Sequence, residues 1–499
     1  MQPRIGILVV AYNAAGTLAR VLERIPAGFR HRISGILVSD DHSADSTYLV
    51  GLGYKEFDPG LPLEVVRNPR NLGYGGNQKV GYRWAIERGF DIIVMLHGDG
   101  QYAPENLPDL VAPLERGEAD AVFGSRMIQK GAARKGGMPL YKLMGNKVLT
   151  AFENKVAGTD LSEWHSGYRA YSVAALRDLP FDRNDDDFNF DTQIIIQLVE
   201  AGKRIVELPI ATFYGDEICY VNGLKYARLI ARDVVRYRVH KMGFGTGEMA
   251  FASDAYEAKL SPNSSHGRIL QWLRAREPGR VLDLGCADGR LAAELRAAGH
   301  YVVGVDIAAS DGVKDRVDEF VQADLDLGIP PEVTGEFDAV IAADVLEHVR
   351  RPEILLDELH GMLTPSGVVV ASVPNFAHWY PRLRVAAGRF DYDSRGILDR
   401  THVRFFTRRS FERLLDDRGW TVTRRGHTGL PLEVAERGGA TDRRDDDGDG
   451  PRPPGGGSLP RLIGRADEMA VRARPTLFAY QLLYQLAPAA AEGRLSRRR

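Results

Sequence analysis

The chain has 499 residues, more than the roughly 250–300 that one hydrophobic core usually serves, so two or more domains are expected. Hydrophobic residues make up 44% and charged residues 26%, a soluble globular balance, and a formal net charge of −2 gives no global reason to expect a nucleic-acid partner. Two cysteines, Cys219 and Cys286, argue against a disulfide framework or structural zinc and fit a reducing cytosol.

The opening "MQPRIGILVVAYNAAG" carries an apolar run without a small-residue cleavage pattern, so it reads as a first strand rather than a signal peptide. No stretch approaches about 18 apolar residues, the length a membrane-spanning helix needs. Strands are expected at "IGILVVAY", "ISGILVSD", "LEVVRN", "FDIIVML" and "ADAVFGS", with helical patterns between several of them, as in an α/β domain. Asp40 and Asp41 end the second of these; two carboxylates there either cap the next helix or accept hydrogen bonds from a nucleotide's base or ribose. "RNPRNLGYGGNQKVGYRWAIERG" then supplies Arg67, Arg70, Asn71 and a turn at Gly73 that opens a helix closing at Gly89, and such a glycine-approached N-terminus favours anions. In "FDIIVMLHGDGQYAPE" an apolar run suited to a strand buried on both faces stops at His97, Asp99 and Gln101, separated by single glycines. Ligands bind beyond the carboxyl ends of such strands; an ordinary turn is the alternative.

These pieces, with "GSRM", "HSGYRAYS" and "ELPIATFYGDE", resemble the family 2 glycosyltransferases, most closely the dolichyl- or polyprenyl-phosphate sugar synthases, in order over about 240 residues. The resemblance implies a GT-A-type nucleotide-binding α/β domain, a UDP- or GDP-sugar donor, and a divalent metal (Mn²⁺ or Mg²⁺) held with the donor's diphosphate at "HGDGQY". Asp99 is the expected ligand, Gln101 a neutral oxygen ligand, and His97 stands where those synthases usually show a carboxylate. A hydroxyl acceptor would need a general base, for which Asp191 is the candidate, although Asp191 also suits an ordinary helix N-cap. A lipid phosphate needs no base but needs cations, and Arg126 and Arg169 are offered.

After the glycine-rich "GFGTGEM" at Gly243–Met249, which reads as a hinge, strands recur at "RVLDLG", "YVVGVD", "EFDAVIAA" and "GVVVASV". "RVLDLGCADGRLAAELRAAGHYVVGVD" lacks the G-x-G-x-x-G dinucleotide pattern. With "VQADLD" and "FDAVIAADVLEHV" the block resembles the class I S-adenosylmethionine-dependent methyltransferases, which implies a Rossmann-like domain. By that resemblance Asp283, Gly285 and Gly289 meet the methionine and ribose portion of the cofactor, Asp306 binds the ribose hydroxyls and Asp324 the adenine amino group. His348 falls near the methyl-transfer end, and "ILDRTHVRFFT" adds Asp399 and His402; an oxygen acceptor would need proton removal, for which histidine is apt.

"ERGGATDRRDDDGDGPRPPGGGS", Glu436–Ser458, has no apolar residues from which to build a core and is expected to be a disordered spacer. "TLFAYQLLYQLA", Thr476–Ala487, is apolar nearly all round; it is expected as a helical segment that docks on one of the domains or lies in a membrane interface. The expected organisation is thus a transferase domain over 1–241, a linker over 242–252, a methyltransferase domain over 253–432, a spacer over 433–458 and a helical, basic tail over 459–499. The expected function is bifunctional: inverting glycosyl transfer to polyprenyl phosphate or a growing cell-surface glycan, with methylation of a glycan or glycolipid. Rival readings are transfer to a soluble hydroxyl acceptor, and a first domain that has lost its metal and serves as a glycan-binding module. The expected location is cytoplasmic, with peripheral contact at the inner face of the membrane for a polyprenyl acceptor.

Overall fold

The computed structural model describes residues 2–211, 223–245, 261–431 and 458–489. They form two compact α/β units, one built from the described residues up to Arg238 and the other from 239 onward.

The first unit holds strands β1 (Ile5–Ala11), β2 (Ile33–Asp40), β3 (Leu63–Arg67), β4 (Ile92–His97), β5 (Ala121–Ser125), β6 (Arg169–Ser172) and β7 (Ile205–Pro209) in one sheet of order β3-β2-β1-β4-β6-β5-β7. Pairings among β3, β2, β1 and β4 are parallel, and β6 runs antiparallel to both β4 and β5. The unbroken apolar runs follow from burial on both faces. Ile5, Ile7 and Val9 of β1 and Ile92, Val94 and Leu96 of β4 enter one core, while Leu8, Val10, Ile93 and Met95 enter the other. The chain passes β1, β2, β3 outward and returns to β4 on the opposite side of β1, with Val10 paired to His97. The crevice at this reversal is where open α/β sheets bind ligands. The short β6 escapes sequence reading because it contains the buried Arg169 in place of an apolar run.

The second unit holds β8 (Arg280–Leu284), β9 (Tyr301–Asp306), β10 (Glu319–Gln322), β11 (Phe337–Ala343), β12 (Leu363–Pro374), β13 (Trp420–Thr428) and β14 (Gln481–Pro488), in the order β10-β9-β8-β11-β12-β14-β13. This corrects the expected tail. Thr476–Ala487 is not a docked helix: its larger part is an interior strand, antiparallel to both β12 and β13. Leu482, Tyr484 and Leu486 enter one core and Leu483 the other, so the segment is apolar at successive positions because both sheet faces are covered. A short run of that kind cannot be told from a buried helix by periodicity alone. A helix over Ser458–Ala473 precedes it.

The spacer expected at 433–458 lies outside the described residues except at its last position. Of the expected hinge, only 243–245 is described, and there Phe244 is buried against Ile397 and Tyr480. No described helix is long and apolar enough to cross a membrane.

Candidate active sites

In the first unit Asp40 and Asp41 stand at the carboxyl end of β2 and His97, Asp99 and Gln101 at that of β4, while Arg126 follows β5, Arg169 opens β6 and Asp191 lies in the helix Phe190–Glu200; several of these are committed to internal work. Asp41 is buried and accepts from Asn68 Nδ2 (2.9 Å), Leu72 N (2.8 Å) and Gly73 N (3.0 Å). Asn71 Oδ1 also accepts from Gly73 N at 2.9 Å. The amides of Gly75 and Gly76, at the start of the helix Tyr74–Glu87, donate to the Asp186 carbonyl at 2.8 and 3.3 Å. The expected anion site at this helix start is therefore filled by the chain itself. Gly73 is required twice over: its φ is +82°, and a Cβ there would stand 2.5 Å from the Asp186 carbonyl oxygen. Asp40 is fully buried, with Oδ1 accepting from Ser43 N and the Ser43 hydroxyl, and Arg67 Nε 3.5 Å from its other oxygen.

His97 sits in an aromatic setting. Its Nε2 lies 3.4 Å from the Tyr74 hydroxyl, and its ring makes an edge contact with Tyr102 at 4.9 Å. Burial holds the imidazole below its usual range, against the opposing pull of Asp99 and Asp191, so the ring is neutral at neutral pH. The Tyr74 hydroxyl also donates to Asp191 Oδ2 (3.2 Å), and Gln78 Nε2 donates to Asp191 Oδ1 (3.1 Å). Asp191 is thus not the cap of its helix, Phe190–Glu200, whose N-cap position is Asn189. Its carboxylate faces Tyr74, Gln78 and Arg169, the last with Nη1 3.6 Å away. Tyr74 and Gln78 were not singled out by sequence reading, although their i, i+4 spacing in "YGGNQ" places them on one helix face.

Neither arginine offers the free fork expected for a phosphate. Arg169 is 1% exposed and donates to the carbonyls of Ser166 (2.8 Å), Asp191 (3.1 Å) and Trp164 (2.8 Å). Arg126 donates through Nε and its backbone N to the Glu163 carboxylate (2.8 Å each), and through Nη2 to the His165 carbonyl (2.9 Å). Burial alone would raise the Glu163 carboxyl, but Arg126 outweighs it and holds it below the usual range. A buried guanidinium must satisfy its donors internally, which is why both side chains bond to the chain's own carbonyls and carboxylates. Arg67 and Arg70, by contrast, are exposed at the end of β3.

The donor set suits a cation that arrives with a diphosphate rather than a closed protein cage. Asp99 is partly exposed, and its Oδ1 accepts from Gln101 N at 2.9 Å. Among the described residues no third His, Cys, Asp or Glu ligand joins His97 and Asp99. Magnesium and manganese in nucleotide sites are commonly held by one or two carboxylates together with substrate phosphates, and Asp99 meets that requirement.

In the second unit β8 ends in a turn where Gly285 (φ +67°), Ala287 (φ +49°) and Gly289 (φ +75°) precede the helix Arg290–Ala297. Asp283, Gly285, Cys286 and Asp288 line a cleft with His266 and Ala343. Asp283 is 2% exposed; its Oδ2 has no hydrogen-bond partner among the described residues, and burial with the nearby Asp306 pushes its carboxyl up to about 7. A ligand amine or hydroxyl would satisfy that oxygen, so the turn fits the expected cofactor. Asp306, at the end of β9, accepts from Ala287 N (2.8 Å) and Ala308 N (3.2 Å), and Asp324 is exposed with Oδ1 accepting from Asp326 N (2.9 Å). After β11, His348 and His402 come together, ring centroids 4.8 Å apart, beside the buried Glu347, a residue that sequence reading quoted in "LEHV" but did not select.

The family model described as glycosyl transferase family 2 matches residues 6–179, and that described as a methyltransferase domain matches residues 257–425. An undecaprenyl-phosphate mannosyltransferase of Micrococcus luteus is 31% identical over 216 residues, 43% of this chain and 85% of the relative. A polyprenol monophosphomannose synthase of Mycolicibacterium smegmatis is 27% identical over 215 residues, 42% of this chain and 78% of the relative. The glucosyl-3-phosphoglycerate synthase structure from Mycobacterium tuberculosis superposes with a TM-score of 0.35 at 18% identity, covering 51% of this chain and 83% of that one.

Proposed function

Because this chain belongs to glycosyl transferase family 2 through its first unit and carries a methyltransferase domain behind it, we propose that it is a bifunctional transferase that glycosylates polyprenyl phosphate and methylates a glycan or glycolipid. The donor is a UDP- or GDP-sugar. The observation that supports the first half is that Asp99 lies just past β4, at the sheet's reversal point, where a carboxylate suits a cation bound with a diphosphate. Such a cation stabilises the charge that gathers on the departing nucleoside diphosphate.

Two observations support a lipid phosphate acceptor. Asp191 is 5% exposed and held by hydrogen bonds from Tyr74 and Gln78, which anchors it in the fold, and an acceptor that is already anionic needs no base. The second is the helix Leu140–Ala157, which exposes Leu140, Tyr141, Met144 and Val148, largely at i, i+4 and i+8. From Met127 to Thr159 the sequence carries Lys130, Arg134, Lys135, Lys142, Lys147 and Lys155 against a single acid, the buried Glu153. Apolar residues flanked by cations suit the surface of an anionic bilayer, where a polyprenyl phosphate resides.

The reading is tested by incubating the full chain with UDP- and GDP-sugars, Mn²⁺ and undecaprenyl phosphate. Mass spectrometry is expected to find one sugar added to the lipid phosphate, and loss of that product in Asp99→Asn. Transfer to soluble glycans alone, abolished in Asp191→Asn, would overturn the lipid acceptor.

A further inference from the structure

Two segments of the second unit meet beyond the carboxyl end of β11: Asp344–His348 and Asp399–Phe406. Backbone bonds pin them together, with Val403 N and Arg404 N both donating to the Glu347 carbonyl at 2.9 Å. At this junction Glu347 is 1% exposed, and neither of its carboxylate oxygens has a hydrogen-bond partner among the described residues. An unpaired buried carboxylate is costly, and proteins rarely keep one without a counter-charge or ligand.

The two imidazoles beside it are set in a particular way. His348 Nδ1 lies 3.3 Å from the Thr401 carbonyl, and His402 Nδ1 lies 3.3 Å from the Ile397 carbonyl. A carbonyl can only accept, so each neutral ring carries its proton on Nδ1 and leaves the Nε2 lone pair available. Anchoring the far ring nitrogen on a carbonyl is how proteins orient histidines that ligate metals. One ligand atom from each of Glu347, His348 and His402 lies within 4.8 Å of the other two, while His348 is exposed and so keeps one side open.

We propose that Glu347, His348 and His402 hold a divalent transition-metal ion that binds the hydroxyl to be methylated. Two imidazoles and one carboxylate suit Mn²⁺, Fe²⁺, Co²⁺ or Zn²⁺ better than Ca²⁺, and leave coordination positions for acceptor oxygens. A vicinal pair of sugar hydroxyls matches two such positions. This deepens the methyltransferase reading and rests on it. The bound hydroxyl loses its proton to water. Its oxygen forms the new O–CH₃ bond as the S–CH₃ bond of S-adenosylmethionine breaks, and the sulfur keeps the electron pair in S-adenosylhomocysteine. The metal's part is to lower the hydroxyl's pKa, as it does for bound water.

The test uses the full chain carrying Asp99→Asn, stripped of metal and titrated with Co²⁺ in the absence of nucleotide. Calorimetry is expected to find one equivalent bound, with visible absorption from a nitrogen- and oxygen-ligated cobalt. Glu347→Gln and His402→Ala should each weaken binding by at least about tenfold. The exposed His348→Ala, which disturbs no core packing, should do the same and serves if a buried variant fails to fold. S-adenosylmethionine binding, measured separately, should be unchanged in His348→Ala. Absence of cobalt binding, or binding indifferent to His348→Ala, overturns the site. Methylation that proceeds fully in a chelator overturns its role while sparing the methyltransferase reading. Cobalt binding without any S-adenosylmethionine binding supports the site and sinks that reading instead.

Discussion

The Tyr74 hydroxyl donates to Asp191 Oδ2 across 3.2 Å and thereby ties the helix after the glycine turn to the helix that carries Asp191. On its other side the same oxygen lies 3.4 Å from His97 Nε2, so one phenol joins the end of β4 to a carboxylate nearly a hundred residues later. Tyr74→Phe is expected to leave Asp191 with an unpaired buried oxygen, at about 1–3 kcal/mol of stability. Urea melts read the loss, and sugar transfer should fall with it. An unchanged midpoint and rate would show that the hydroxyl is idle.

Gly167 guards the same spot from the opposite side. A Cβ there would stand 2.6 Å from both His97 Nε2 and the Tyr74 hydroxyl. Gly167→Ala is therefore expected to push the two rings apart and to lower stability by about 1–3 kcal/mol. A wild-type melting temperature together with wild-type donor affinity would contradict this packing.

Ending the chain at Pro431 removes β14 from between β12 and β13 in the second sheet. Leu482, Leu483, Tyr484 and Leu486 are all fully or almost fully buried, and each such side chain contributes about 1.5–3 kcal/mol. Their sum rivals the 5–15 kcal/mol typical of a whole domain. The truncated protein is expected to lose S-adenosylmethionine binding in calorimetry; full binding would contradict the sheet order.

Asp283 predicts a pH dependence. Its folded-state carboxyl is pushed up to about 7, well above the roughly 3.9 of an unfolded aspartate, so between those values the folded state holds a proton that the unfolded state has released. The contribution is fully present below about pH 4 and lost as pH rises through about 7, with a slope of at most about 1.4 kcal/mol per pH unit. Urea melts from pH 4 to 8 should show this decline, and Asp283→Asn should flatten it.

Lys135→Gln and Lys147→Gln alter exposed side chains, the first five residues before helix Leu140–Ala157 and the second within it. Each should weaken co-sedimentation with anionic vesicles by about 1 kcal/mol, roughly fivefold. Binding to neutral vesicles should change little. Equal binding of wild type and both variants to anionic vesicles would remove the membrane contact.

Much of the architecture is written locally. The unbroken apolar runs of β1, β4, β8 and β11 announce strands covered on both faces, and the stops at His97, Asp99 and Gln101 and at Gly285 and Gly289 mark where those strands meet a crevice. What the individual charges do there is not local. Asp41 and the glycine turn satisfy one another, Arg169 spends its donors on three carbonyls, and Arg126 on Glu163. Burial obliges a charged group to find its partners inside the fold, and several of them, Glu163 for Arg126 and Leu72 and Gly73 for Asp41, come from distant parts of the chain. The same holds for β14 and for Glu347. An apolar run states that a segment will be buried without saying as helix or strand, and a carboxylate in "LEHV" becomes a metal ligand candidate only when the fold brings a histidine from more than fifty residues away to face it. Sequence by itself therefore determined the two α/β units and the strand ends that bear their crevices, because hydrophobic patterning and glycine turns act over a few residues. Tertiary structure alone decided which charges remain available for chemistry, because desolvation and pairing depend on what packs around each one.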